Sequence, residues 1–162
     1  MKQWVYKATK AKVDYFDTHL LAFGRHFLCR SAIESNGSHA DLVDQVELGD
    51  VLHFYYSHGG SKVTTFGCFR TIDGASYPRR FGDRIEGTAL FRVREDDALI
   101  ELLTKEHTRD PSKGYQRDPE HGCFTGWVIE RLPGTEMKPT PFDQKKLFPG
   151  AQTSLWPYLP PA

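Results

Sequence analysis

The segment GDVLHFYYSHGGSKVTTFGCFRT, residues 49–71, carries two β-branched and aromatic runs around a pair of glycines. Period-two alternation puts His53, Tyr55 and Ser57 on one face of the first run and Leu52, Phe54 and Tyr56 on the other. Gly59-Gly60 supplies the positive φ that a tight hairpin demands, so two antiparallel strands are predicted with these glycines at the tip. Neither face is plainly polar, which suits a strand in a closed or covered barrel better than an edge open to water.

Around this hairpin the pattern is mixed α/β. Trp4-Val5-Tyr6 reads as a first short strand, residues 14–23 as an amphipathic helical segment stopped by Gly24, and residues 26–29 as a second strand. Ser38 is an N-cap for a short helix through Val46, with Asp41 as the acidic half of a capping box. Residues 75–86 form an irregular basic loop, and residues 88–94 return to strand. Glu95-Asp96-Asp97 places acid at the start of a helix through Leu103, where the helix dipole favours it. Residues 105–122, polar and interrupted by Pro111 and Pro119, read as a long surface loop, and residues 124–131 as a strand. The tail, residues 147–160, alternates apolar residues with prolines, as expected of a segment packed across a barrel end.

Composition narrows the class. At 162 residues the chain reads as one domain spanning residues 1–162, with 39% hydrophobic residues, 11 Phe, 7 Tyr and 3 Trp to build its core. Lys+Arg and Asp+Glu both total 21, so long-range attraction to a polyanion is weak and nucleic-acid binding would need a local basic patch. Cys29, Cys68 and Cys123 are odd in number and lack CxxC spacing, which reads as reduced, mostly buried thiols and not as a disulfide framework or a zinc ribbon. With no signal-length hydrophobic run and no membrane-length one, the expected location is cytoplasmic, with no membrane partner.

Catalytic motifs are scarce. No GxSxG, HExxH, P-loop or GxGxxG is present, and His121-Gly-Cys123 lacks a second ligand pair, so no metal and no cofactor are expected. Each histidine reads more simply as a packed or turn residue than as a catalytic one. Flat side chains and cations are the more informative set. Recognition of an extruded base needs aromatic faces for stacking and Lys, Arg or backbone amides for phosphate. Trp4, Phe27, Tyr55, Tyr77, Phe81 and Trp127 are the stacking candidates, although most aromatics in so aromatic a chain must fill its core.

Three stretches resemble a known superfamily. WVYKAT (Lys7, Ala8 and Thr9), GDVLHFYYSH (residues 49–58) and SKVTTFGCFRTID (residues 61–73) are similar to the Lys-small pair, the GD-led strand and the glycine-containing strand of PUA-like proteins of the EVE and YTH branches. The likeness covers the first half of the chain well and the rest loosely. Where YTH domains place a cage tryptophan, this chain has Phe27-Leu28-Cys29-Arg30. The resemblance implies an α+β fold, a mixed, largely antiparallel barrel of five or six strands flanked by two or three helices. It also implies a non-catalytic reader of a modified or extruded base in DNA or RNA.

In that reading Phe27, Tyr55, Tyr77, Phe81 and Trp127 supply at least two walls of an aromatic pocket, Ser57 an edge hydrogen bond, and Lys7 or Thr9 the rim. Lys7, Arg79 and Arg80 contact phosphate, and a nuclease or methyltransferase is a possible partner. Two alternatives stay open: a small ASCH-like amidohydrolase acting on a modified nucleoside through Lys7 or Lys10, Thr9 and Glu86, and a protein-interaction module in a defence or RNA-processing complex using residues 105–122.

Overall fold

The computed structural model describes residues 1–8, 20–22, 25–29, 40–57, 62–74, 82–98, 100, 122–135, 138–143 and 155–158. Among them the chain forms ten strands and one short helix, and Ile100 is also helical. In chain order these are β1 (Gln3–Ala8), β2 (Leu20–Ala22), β3 (Arg25–Cys29), α1 (Ala40–Val43), β4 (Val51–Ser57), β5 (Lys62–Ile72), β6 (Gly82–Arg84), β7 (Phe91–Val93), β8 (Thr125–Arg131), β9 (Lys138–Asp143) and β10 (Leu155–Pro157).

All ten strands belong to one sheet, with the path β10-β1-β4-β5-β8-β3-β2, β9 added to β5, and the β6–β7 pair added to β8. Only β1 and β4 pair in parallel, Val5 opposite His53 and Lys7 opposite Tyr55; every other described pairing is antiparallel. The predicted hairpin is present, with Ser57 opposite Val63 at its far end, while Gly59 and Gly60 lie outside the described residues.

The expected α+β barrel flanked by helices is overturned: the described chain is mostly β, a curled half-barrel sheet without flanking helices. Two local readings change with it. Within the segment read as a helix, Leu20–Ala22 is a strand paired to β3, because a short apolar run such as LLA satisfies either period and strand partners decide. The helix expected through Val46 ends at Val43. There the amides of Gln45 and Val46 donate to the carbonyls three residues back, the tight closure of a helix end. Of the helix expected from Glu95 through Leu103, Ile100 is helical, residues 99 and 101–103 lie outside the described residues, and the amides of Asp97 and Ile100 each donate to the carbonyl three residues back.

Besides β2, three strands were not anticipated. Gly82–Arg84, in the segment read as a basic loop, is β6, and KPTPFD, residues 138–143, is β9. Both prolines of β9 are accommodated because the strand is an addition to the side of β5 and pairs with nothing beyond it among the described residues. In the tail, Leu155–Pro157 does not cross a barrel end; it extends the sheet beside β1.

The curl has a visible origin in β5. Phe54 faces Gly67 while Tyr55 faces Thr65, so Phe66 is the extra residue of a β-bulge. Below it the strand pairs with β9 and above it with β8, so the bulge marks the point where β5 changes neighbours. Gly67 has φ +154°, and a Cβ there would strike the Arg131 guanidinium and stand 2.6 Å from the Thr135 carbonyl oxygen. Only glycine fits without displacing one of them.

The main core lies on one face of the sheet, filled largely by the sheet's own aromatic residues. Tyr6, Phe54 and Phe69 form a row of rings with successive centroids 4.6 Å apart, and Phe27, Phe91, Phe124 and Trp127 join them at 1% exposure or less. One buried carboxylate ties the edges together. Asp50 Oδ1 accepts from the Lys2 amide at 2.9 Å, and its Oδ2 accepts from the Glu47 amide at 2.9 Å and from Trp4 Nε1 at 3.1 Å. Gly49, at φ +91°, brings the chain into β4 in the orientation that permits this.

Candidate functional site

Strand alternation presents a second set of side chains on the face opposite the core. Trp4, Tyr6, Leu52, Phe54 and Phe69 point into the core, so Gln3, Val5 and Lys7 of β1, Val51, His53 and Tyr55 of β4, and Cys68 and Arg70 of β5 share the other face. The register fixes their neighbours. Trp156, Val5, His53 and Cys68 make one row across four strands; Val51 and Arg70 lie in the next, and Lys7 and Tyr55 on the far side. Tyr158, just past β10, donates its amide to the Gln3 carbonyl at 3.0 Å and continues the ladder.

This face carries its own apolar cluster, in which buried Val5 and Tyr55 pack against half-buried Trp156 and Tyr158. Tyr158 stacks on His53, with ring centroids 4.1 Å apart and 17° between planes. Tyr55 is hydrogen-bonded to Tyr158, and its phenol is pushed well above its ordinary range, first by burial and then by Tyr158 and Cys68 beside it. Lys7, half-buried, and Arg70, exposed, place one cation on each side of the aromatic group.

His53 is held at both ring nitrogens. Its Nε2 lies 2.7 Å from Gln3 Oε1 and its Nδ1 3.2 Å from Cys68 Sγ. The Gln3 oxygen only accepts, so Nε2 carries the hydrogen and Nδ1 presents its lone pair to the thiol. Burial lowers the His53 pKa and keeps the ring neutral. Burial also raises the Cys68 thiol, with the Arg131 guanidinium pulling the other way.

The residues expected at a site are dispersed over the fold. Lys7 and Tyr55 are brought together, opposite each other on adjacent strands, but Tyr55 is only 3% exposed and acts as the support beneath Tyr158. Phe27 and Trp127 are both 0% exposed and stand in the main core, away from this face; Trp127 Nε1 has no hydrogen-bond partner among the described residues. Ser57 is placed by its backbone at the hairpin end of β4. Thr9, Tyr77, Arg79, Arg80 and Phe81 lie outside the described residues, as do Lys10 and residues 105–121. Glu86 sits exposed in the β6–β7 turn.

Arg70, Trp156 and Tyr158 were not singled out by sequence reasoning, and Cys68 was read only as one of three reduced, mostly buried thiols. The bulge at Gly67 breaks the alternation of β5, and nothing in the proline-rich tail announces a strand, so their common face was hidden. Among the described residues no three His, Cys, Asp or Glu side chains gather as a metal site, and no helix is long and apolar enough to cross a membrane.

No family model and no curated protein matches the chain. A solved structure of a hypothetical protein from Leishmania major is similar over 98% of this chain and 87% of its own, at 11% sequence identity and a TM-score of 0.49, a likeness too distant to assign a function.

Proposed function

We propose that the face built by β10, β1, β4 and β5 stacks a flat heteroaromatic group, a modified or extruded base of DNA or RNA, without catalysing a reaction. The observation that carries this reading is the Trp156–Tyr158–His53 group, propped from beneath by Tyr55 and flanked by Lys7 and Arg70. Aromatic faces stack bases at about 1 to 3 kcal/mol per base, and cations at the rim serve the phosphates. The resemblance of WVYKAT and GDVLHFYYSH to EVE and YTH sequences supports the same ligand class. The pocket-forming roles first expected of Phe27 and Trp127 pass to Trp156 and Tyr158, the half-buried aromatics of this face. Zero formal net charge keeps the expected affinity modest.

The test is fluorescence anisotropy with short labelled single-stranded DNA and RNA, each with and without a methylated base. Trp156→Ala and Tyr158→Ala should each weaken binding by about tenfold while the far-ultraviolet spectrum is kept. Equal binding by the parent and both variants, or no binding by the parent to any oligonucleotide, rejects the reading.

A further inference from the structure

We propose that Cys68 is a modification site, a thiol that His53 deprotonates for attack on low-molecular-weight disulfides, so that a mixed disulfide forms on the same face as the aromatic group. Four observations lead there. The imidazole lone pair is aimed at the sulfur, with Nδ1 to Sγ at 3.2 Å, and Gln3 fixes the tautomer from the other side at 2.7 Å. Nucleophile, base and orienting group thus come from three adjacent strands, in the order that activated thiols use. Cys68 is half-buried where Cys29 and Cys123 are buried, so a small reagent reaches it first. Its backbone is clamped as well: the Cys68 carbonyl accepts from the Leu132 amide at 2.9 Å and from Thr135 Oγ1 at 3.2 Å, which holds the sulfur in register with His53.

The charged and titratable groups around the pair are Tyr55 and Tyr158 on the aromatic side, Arg131 on the other, and Lys7 and Arg70 in the flanking rows of the same face. Burial raises the Cys68 thiol and lowers the His53 imidazole, so the resting pair is neutral and reactivity depends on proton transfer to the imidazole as the thiol attacks, with the Arg131 guanidinium favouring the thiolate. The step balances without further reagents. Cys68 S–H gives its proton to His53 Nδ1, and the thiolate attacks one sulfur of R–S–S–R. The Cys68–S–S–R bond forms as the reagent's own S–S bond breaks, and the departing thiolate takes the proton back from His53 and leaves as R–SH. Cys68 is oxidised and the departing sulfur is reduced. The adduct then stands beside His53 and the tyrosine stacked on it, where it blocks that face until a thiol reductant removes it.

The experiment treats the full chain with oxidised glutathione between pH 5.5 and 9 and follows adducts by intact mass and peptide mapping. One glutathione on Cys68, removed by dithiothreitol, with Cys29 and Cys123 unmodified, is the expected result. His53→Gln should slow the reaction at pH 7 by about tenfold or more. Should that variant fold poorly, the parent's own pH profile decides. An inflection in the imidazole range supports base assistance, whereas a single inflection at or above the ordinary thiol range overturns it. Modification of Cys68 no faster than of Cys29 and Cys123, or a His53→Gln variant reacting at the parent's rate, overturns the proposal equally. None of these readings depends on nucleic-acid binding, so failure here and failure of the ligand proposal are separable.

Discussion

Trp4 Nε1 donates to Asp50 Oδ2 across the start of the parallel β1–β4 pair, at 3.1 Å and out of contact with water. The same carboxylate holds the amides of Lys2 and Glu47, and the Asp50 main chain is bonded to Thr71 of β5. One residue therefore joins the first strand and the turn after α1 through its side chain and the hairpin through its main chain. The GD pair that resembles a family motif thus has a structural meaning in this chain, with glycine for the turn and aspartate for the knot.

Asp50→Ala should consequently cost about 3 kcal/mol or more, because three donors lose a charged acceptor and one of them is a buried indole. Asp50→Asn, which keeps one acceptor oxygen, should lose less. Urea denaturation of the parent and both variants gives the order directly. An alanine variant within about 0.5 kcal/mol of the parent would show that the knot is dispensable.

Two glycines with positive φ should respond differently to alanine. At Gly67 the new methyl meets the Arg131 guanidinium and the Thr135 carbonyl, so Gly67→Ala should cost about 2 kcal/mol or more. At Gly49, where nothing lies within 4 Å of the position, only backbone strain of about 1 to 2 kcal/mol applies. Thermal melts of the two variants side by side test the contrast. It fails if Gly49→Ala is the more destabilised.

Stability should have an acid and an alkaline limb. His53 has a folded pKa below its ordinary 6.5, so the unfolded chain takes up the proton first and stability falls as pH drops below about 6.5 toward the folded value. Cys68, Tyr55 and Tyr6 are shifted upward, so above their ordinary values of 9.0 for the thiol and 10.0 for the phenols the unfolded chain releases protons that the folded one retains. Stability falls there as pH rises. The melting temperature should therefore be highest between these limits. His53→Gln should flatten the slope from pH 6.5 to 5, and an unaltered slope in that variant would remove His53 as its source.

If Lys7 and Arg70 contact phosphate beside the stacked base, log affinity should fall with log salt by about 0.7 to 0.9 per contact. Lys7→Ala and Arg70→Ala should each lessen that slope by nearly one unit and weaken DNA and RNA sequences alike. A slope unchanged in both variants would place the phosphate contacts elsewhere.

Much of the local structure is written in period-two alternation. The strands containing Trp4 to Tyr6, Phe27, Leu52 to Tyr55 and Trp127 are legible because β-branched and aromatic residues recur there, and the two faces of β4 follow from alternation alone, with Leu52 and Phe54 inward and His53 and Tyr55 outward. Lys7 and Tyr55 were recognisable as candidates by residue type. Their adjacency was not, because a parallel pairing across more than forty intervening residues leaves no trace in local pattern. The bulge at Phe66 and Gly67 sets which of Cys68, Phe69 and Arg70 faces the core, and a shift of one residue would exchange their faces. Sheet register across four strands, a tertiary property, likewise made the proline-rich tail into an edge strand and carried Trp156 and Tyr158 onto Val5 and His53. Alternation along each strand is a property of the backbone and can be read from sequence; the company each residue keeps depends on non-local pairing, which only the folded chain decides.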